Sequence, residues 1–433
     1  MTTENSDSGL QKSDEPTCDG TAGETADPVK PQPVGYRTVF AVREFRPIFA
    51  AHILSMFGSF FAEVSLAVLV FQRTGSPLLT SLIFALGMLP YALSGVLLSG
   101  VADRYPARRV LVTCDLLCAA CVAVLALPLT PLALLFVLRA VLAMITPLFQ
   151  GTRAASLADI LEGDVYVLGR SLLRIISQSA QIIGFGIGGL VLVVLSPRAA
   201  LTVGVGTFLC SAALLRLGTT NRPARITGTG SMMRQSLRGA RQLLSHPRIR
   251  ALLLWWWVPP MFFAVAEGLA TPFAAAAGAG SAGVGLMLAA MPAGTVASEL
   301  AAGTLLSPAA RTWIAMPLAG VALVPMALFA CHPSLPVAIV IMLVVGLCSA
   351  YALGMDKWFV EAVPEEMRGQ AMSLLGAGMM TLQGLGMAVG GAIAEVVPPY
   401  AVISGAGILG TVSTLLVLRS VAATGRGGAA AAV

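Results

Sequence analysis

The chain has 433 residues, of which 57% are hydrophobic and only 11% charged, with a formal net charge of +6. Soluble domains carry about a quarter charged residues, so this composition excludes an ordinary soluble fold and points to a polytopic membrane protein. The positive balance is not a nucleic-acid signal, because the arginines collect in alternate loops between apolar runs rather than on one basic face.

Residues 1–35 are polar, acidic and rich in Ser, Thr, Gly and Pro, without the apolar core of a signal peptide, and read as a disordered cytoplasmic tail. A membrane crossing needs about 20 mostly apolar residues. Roughly twelve such runs follow: 47–71, 78–102, 110–128, 131–152, 172–195, 199–217, 251–275, 282–306, 312–331, 335–355, 371–396 and 400–419. They are continuous rather than alternating, which predicts helices and not barrel strands. The fold class expected is an all-α membrane protein of twelve transmembrane helices in two six-helix bundles, 36–217 and 249–420. A central cytoplasmic loop over 218–248 separates them, and a short tail over 421–433 ends the chain.

Basic residues mark alternate ends of these spans. Arg37, Arg43 and Arg46 precede the first; Arg104, Arg108 and Arg109 join the second and third; Arg153 and Arg170 join the fourth and fifth. A dense set lies between the sixth and seventh, then come Arg311, Lys357, Arg368, Arg419 and Arg426, while the other loops hold little more than Arg73 and Arg198. This positive-inside asymmetry predicts a multi-pass plasma-membrane protein with both termini cytoplasmic. Within the central loop, Ser236 to Leu244 is expected to form a short amphipathic helix on anionic headgroups.

The turn between the second and third spans contains Ser99, Gly100, Ala102, Asp103, Arg104, Pro106, Ala107 and Arg108. It resembles the loop G-x-L-A-D-R-x-G-R-K between helices 2 and 3 of the major facilitator superfamily. Ala102, Asp103, Arg104 and Arg108 stand in place; Ser99, Pro106 and Ala107 depart from the pattern. Leu135 and Arg139 in the fourth span match the start of that family's L-x-x-x-R-x-x-Q-G motif. Gly184, Gly188 and Gly189 in the fifth match G-x-x-x-G-P-x-x-G-G, with Phe185 in place of the proline. Gly386, Gly390 and Gly391 in the eleventh span repeat the spacing of the fifth, and Gln181 and Gln383 each precede their motif by three residues. Arg368 and Gly369 match a further P-x-x-x-R-G-x-A turn. The outer turn Gln72 to Pro77 resembles that of the drug:proton antiporter branch that includes macrolide and siderophore exporters. The resemblance implies two six-helix repeats around a substrate path, with Asp103, Arg104, Arg108, Gly184, Gly188, Gly189 and Arg368 in gating or conformational roles. Plain helix packing is the alternative reading of the glycines.

Ionisable residues inside spans are expensive and are functional candidates by default. Glu63 lies about 24 Å up the first span, Arg139 at a comparable depth in the fourth, and Glu267 about 24 Å up the seventh. The resemblance implies that helices 1, 4, 7 and 10 line the central cavity, which would gather these residues as a proton and substrate site, with Glu299 on helix 8 lying lower. A static Glu63–Arg139 pair joining two helices is the structural alternative. Trp255, Trp256 and Trp257 are expected in the interfacial belt. Cys114, Cys118 and Cys121 share one face of the third span and read as packing, with no histidine or carboxylate accompanying them. His52 lies near the inner end of the first span, and no metal cluster or cofactor site is visible.

The reading is a secondary active transporter working by alternating access. It would export a small amphipathic or drug-like compound against protons, as a monomer in the lipid bilayer. An importer or facilitator, or a non-transporting receptor or assembly factor, remains open. Neither H-E-x-x-H, a nucleophile elbow nor a Walker A lysine motif occurs, which argues against an enzyme or direct ATP drive.

Overall fold

The computed structural model describes residues 36–91, 105–161, 163–222 and 240–430. The described residues begin with a short helix, Tyr36–Ala41, and the spans follow in order: α1 (Phe45–Thr74), α2 (Pro77–Met88), α3 (Ala107–Ala126), α4 (Leu132–Ile160), α5 (Gly163–Val194) and α6 (Pro197–Gly218). The second half follows with α7 (Pro247–Gly268, continued by Ala270–Ala276), α8 (Ser281–Leu305) and α9 (Pro308–Val321, then a 3-10 stretch Val324–Cys331). It closes with α10 (Leu335–Leu347, a 3-10 turn, then Tyr351–Ala362), α11 (Arg368–Ile393) and α12 (Pro399–Ala430). Among the described residues, eleven of these stretches are long and apolar enough to cross a membrane, and Pro77–Met88 is a shorter apolar helix; residues 92–104, including Asp103 and Arg104, lie outside the described residues. The tail 1–35 and most of the central loop also lie outside them.

The starts of the helices are written in local chemistry. Ser76, Ser196 and Ser307 each precede a proline, and each hydroxyl accepts the backbone N–H three residues on, from Leu79, Ala199 and Ala310. The cap satisfies an orphan donor, and proline at the first helical position gives up an N–H that had no partner. Gly75 ends α1 in the left-handed region at φ 64°, where a side chain would be strained.

Helix packing repeats across the two halves. In the first, α1 packs on α5 and α6, and α3 on α4 and α6; in the second, α7 packs on α11 and α12, and α9 on α10 and α12. Two seams join the halves, α5 against α8 and α2 against α11, and they exchange under the same repeat. Large apolar side chains such as Val137, Leu209, Val340 and Leu416 are exposed on the outside of the bundle, as a lipid-facing surface requires.

Most differences from the hydropathy reading lie at span ends. α4 continues to Ile160, which puts Arg153 inside a helix, 8% exposed, and not in a loop. α12 remains helical to Ala430. Of the predicted amphipathic helix, residues 240–244 are described and are helical, and Leu243 is fully buried in the hydrophobic core. The tryptophan triplet is not an interfacial belt. Trp255 is 0% exposed, stacks on Tyr351 and meets Trp358 at a tilt of 51° inside the second half, while Trp257 donates to the Leu375 carbonyl at 3.0 Å. Burial of indole area outweighs the headgroup preference because α10 and α11 present a matching wall.

Candidate functional site

The two glycine motifs have equivalent jobs. Gly184 faces Phe60 of α1, and Gly386 faces Met261 of α7. Gly188 faces Val64 and Gly390 faces Val265, one turn further along the same two neighbours. The last glycine of each motif turns to the other half. A Cβ on Gly189 would lie 2.6 Å from Gly285 Cα of α8, and one on Gly391 would lie 2.7 Å from Ser81 Cβ of α2. Both seams therefore close by backbone approach that only glycine permits. Gly189 and Gly391 lie near the ends of their helices that carry the short turns, here called the turn end; the start of α1 and the end of α12 lie at the opposite end, here called the terminal end.

Hydrogen bonds reinforce that closure. Glu395 accepts from Ser76 Oγ at 2.5 Å and from the Leu78 N–H at 3.0 Å, and Ser81 donates to the Gly268 carbonyl at 2.9 Å. All three cross between halves at the turn end. The Ser76 and Leu78 hydrogen bonds hold the Glu395 carboxyl below its ordinary value of 4.5.

Between the seams lies a cavity of about 280 Å³, lined by Met88, Gln178, Gln181, Glu267, Met291 and Gln383 among others. A neighbouring cavity of about 180 Å³ shares Glu267, Met291, Thr295 and Gln383, and adds Trp256, Glu299 and Tyr351. Methionines dominate the apolar lining, and flexible thioethers adapt to varied shapes. The Trp256 indole N–H is buried with no hydrogen-bond partner among the described residues.

Glu63 and Arg139 form an ion pair between α1 and α4, with side chains 18% and 14% exposed. Arg139 also donates from Nε to the Ile83 carbonyl at 3.0 Å, which ties the pair to α2. Gly87 of α2 makes room for it, since a Cβ there would meet the guanidinium. Met88, next to Gly87 at the ion pair, lines the cavity together with Glu267, which brings the pair of α1 and α4 and the carboxyl of α7 into one neighbourhood. Glu299 lines the adjoining cavity on α8.

The predicted gating residues do not gather at one place. Gly189 is at a seam, whereas Gly184 and Gly188 pack within the first half. Arg108 lies at the start of α3 in a small crevice with Asp159 and Arg222. Arg368 bonds Glu365 at 2.9 Å at the start of α11. Asp103 and Arg104 lie outside the described residues.

A second polar cluster escaped the sequence reading. Asp115 of α3, 2% exposed, accepts from Ser55 of α1 at 2.8 Å and from Ser211 of α6 at 2.5 Å. Arg153 of α4 bonds His52 Nδ1, and His52 Nε2 meets Ser177 Oγ of α5 at 2.9 Å. A carboxylate therefore does sit beside Cys114, contrary to expectation. The signal was a single aspartate inside the apolar run of α3. Among the described residues, no group of three or more His, Cys, Asp or Glu is placed to hold a metal.

The model of the Major Facilitator Superfamily matches residues 48–272. The multidrug efflux pump Tap of Mycolicibacterium fortuitum is 26% identical over 343 residues, covering 76% of this chain and 83% of that one. Among solved structures, the peptide transporter POT in complex with sulfate superposes with a TM-score of 0.69 at 13% identity, covering 91% of this chain and 99% of that one. A point mutant of the nucleoside transporter NupG gives 0.68 at 14% identity, with 88% and 99% covered. The family model spans over half of the chain, so the chain belongs to the Major Facilitator Superfamily as a multi-pass membrane transporter, and the solved structures share its fold.

Proposed function

We propose that the protein is a proton-coupled exporter of small amphipathic cations, working by alternating access in the plasma membrane. The observation that carries this reading is the unequal charge around the cavity. On the first half, Glu63 is neutralised by Arg139; on the second, Glu267 faces the cavity. A carboxylate in a largely apolar, methionine-lined space binds either a proton or a cationic substrate, and not both. That competition is what exchange requires: substrate entry expels the proton, and proton entry expels the substrate. The likeness to a multidrug efflux pump supports the export direction.

In this reading the terminal end is cytoplasmic, in line with the arginine-rich loops there, and the closed turn end faces outward. The cavity is then loaded from the cytoplasm. Release outward requires both glycine seams to part and the terminal ends to come together. Arg139 holds Glu63 and α2 in register while this happens, and Gly189, Gly391 and Glu395 form the outer gate. Arg108, Arg368 and the Asp103–Arg104 turn belong to the inner gate.

Proton flux in proteoliposomes with a pH dye, challenged with cationic, neutral and anionic amphipathic compounds, tests the proposal. Cation-dependent proton movement that Glu267→Gln abolishes is the expected result. Equal flux in the wild type and in Glu267→Gln would reject the exchange site.

A further inference from the structure

The smaller of the two cavities has a wall that belongs to one half only. Every residue that lines it comes from α7, α8, α10 or α11, whereas the larger cavity also takes Met88 from α2 and Gln178 and Gln181 from α5. The lining recurs with helical spacing: Trp256, Pro260, Phe263 and Glu267 form one stripe of α7, and Met291, Thr295 and Glu299 lie four apart on α8. Tyr351 and Ala352 follow the 3-10 turn of α10. When the two seams part in the proposed cycle, the larger cavity loses its first-half wall and the smaller compartment keeps all of its own.

The chemistry of this compartment suits a flat group with an electropositive edge. Trp256, Phe263 and Tyr351 line it. Tyr351 is fixed from behind by Trp255, which stacks on it with ring centroids 6.4 Å apart at 14°. Pro260 has no N–H, so the Trp256 carbonyl four residues earlier lacks its ordinary helical donor. The Thr295 hydroxyl donates to the Met291 carbonyl at 3.1 Å, which leaves its lone pairs and its methyl for a ligand. Glu267 stands where the two cavities meet, since it lines both. Aromatic faces, a carbonyl and a carboxylate share one sign of charge, and aromatic faces prefer the positive edge of another ring. An apolar cavity of about 150 Å³ accepts benzene; the compartment, at about 180 Å³, has room for one six-membered ring.

We infer that this compartment is an aryl subsite. It takes a single aromatic ring joined to the cationic nitrogen of the substrate, with the ring edge towards Trp256 and Tyr351 and the nitrogen at Glu267. The remaining apolar groups lie among the methionines of the larger cavity. The substrate class is then narrower than amphipathic cations at large: aryl cations, in which the charge sits next to one ring and polarises its edge. The ring travels with the second half through the cycle, while the first half closes on the other groups and releases them. The subsite rests on the exchange reading of Glu267 and adds its specificity.

Three permanently charged probes test it: benzyltributylammonium, (cyclohexylmethyl)tributylammonium and tetrabutylammonium. They differ in one group on nitrogen, and none carries an exchangeable proton. Dissociation constants are measured by calorimetry at one pH with the full chain in nanodiscs. In the wild type the benzyl cation is expected to bind about tenfold tighter than the cyclohexylmethyl cation, the size that aromatic contacts add beyond buried area. Ala352→Phe fills the compartment and Tyr351→Leu removes one of its faces; in each, the ratio is expected to fall towards one. Met88→Leu, at a residue that lines only the larger cavity, should keep the ratio. The wild-type ratio stands whether or not a variant folds. Saturable binding with equal affinities for the benzyl and cyclohexylmethyl cations overturns the subsite, as does a ratio that survives Ala352→Phe or Tyr351→Leu, or that Met88→Leu removes. No saturable binding of any of the three probes to the wild type overturns the exchange site, and the subsite with it.

Discussion

The Glu63–Arg139 pair shows how one contact serves both stability and chemistry. Removing one member of a poorly solvated pair leaves the other uncompensated, which costs about 3 kcal/mol. Arg139→Leu should therefore lower the thermal midpoint in detergent by several degrees, and the double variant with Glu63→Gln should recover part of the loss. Equal midpoints for the single and double variants would show that the pair carries no coupling. Gly87→Ala belongs to the same test: its methyl would displace the guanidinium from Glu63 and the Ile83 carbonyl without changing any charge. It should express and bind substrate but turn over slowly, as separate binding and flux assays would show. These residues were legible in the sequence because charge inside an apolar run has few explanations. Asp115 was equally isolated in its run, yet only the fold shows that Ser55 and Ser211, far apart in sequence, come to it. Arg153 was hidden by a span end that hydropathy sets too early, since the last turns of α4 mix small and polar residues.

At the scale of the helix, the glycine motifs were visible as spacing, and their division of labour was not. A G-x-x-x-G-G run says that something approaches closely; that the first two glycines face α1 or α7, and the last a helix of the other half, depends on which face meets which neighbour. The prediction is correspondingly specific. Gly189→Val and Gly391→Val should prevent closure of the turn end and slow transport, with binding retained. Gly206→Ala, where a Cβ meets nothing within 4 Å, should be silent. Glu395 adds a pH term to the same seam. Its carboxyl is lowered from 4.5 in the closed state by the Ser76 and Leu78 hydrogen bonds, so its contribution is present above about pH 4.5 and is lost as pH falls through the lowered value. Spin labels across the turn end should report opening at acid pH, and Glu395→Gln should remove that response.

Across the whole molecule, two six-helix units share one packing plan and meet at two seams that exchange under it. This much followed from composition, from loop charge and from the echo between α5 and α11, because a bilayer allows few ways to satisfy twelve apolar segments. The walls of the cavity did not follow. Met88, Met291, Gln178 and Gln383 come from four helices, and periodicity in a helix that is apolar on every side does not say which face turns inward. The Trp255 environment was missed for that reason: a run of three indoles reads as a belt until α10 supplies Tyr351 and Trp358. In the proposed cycle one carboxylate, Glu267, is shared in turn by substrate and proton. The most direct measurement is binding of a fluorescent amphipathic cation to purified protein, titrated against pH. Protons should displace the cation competitively in the wild type, and affinity should no longer vary with pH in Glu267→Gln. Affinity in the wild type that is constant across pH would contradict it.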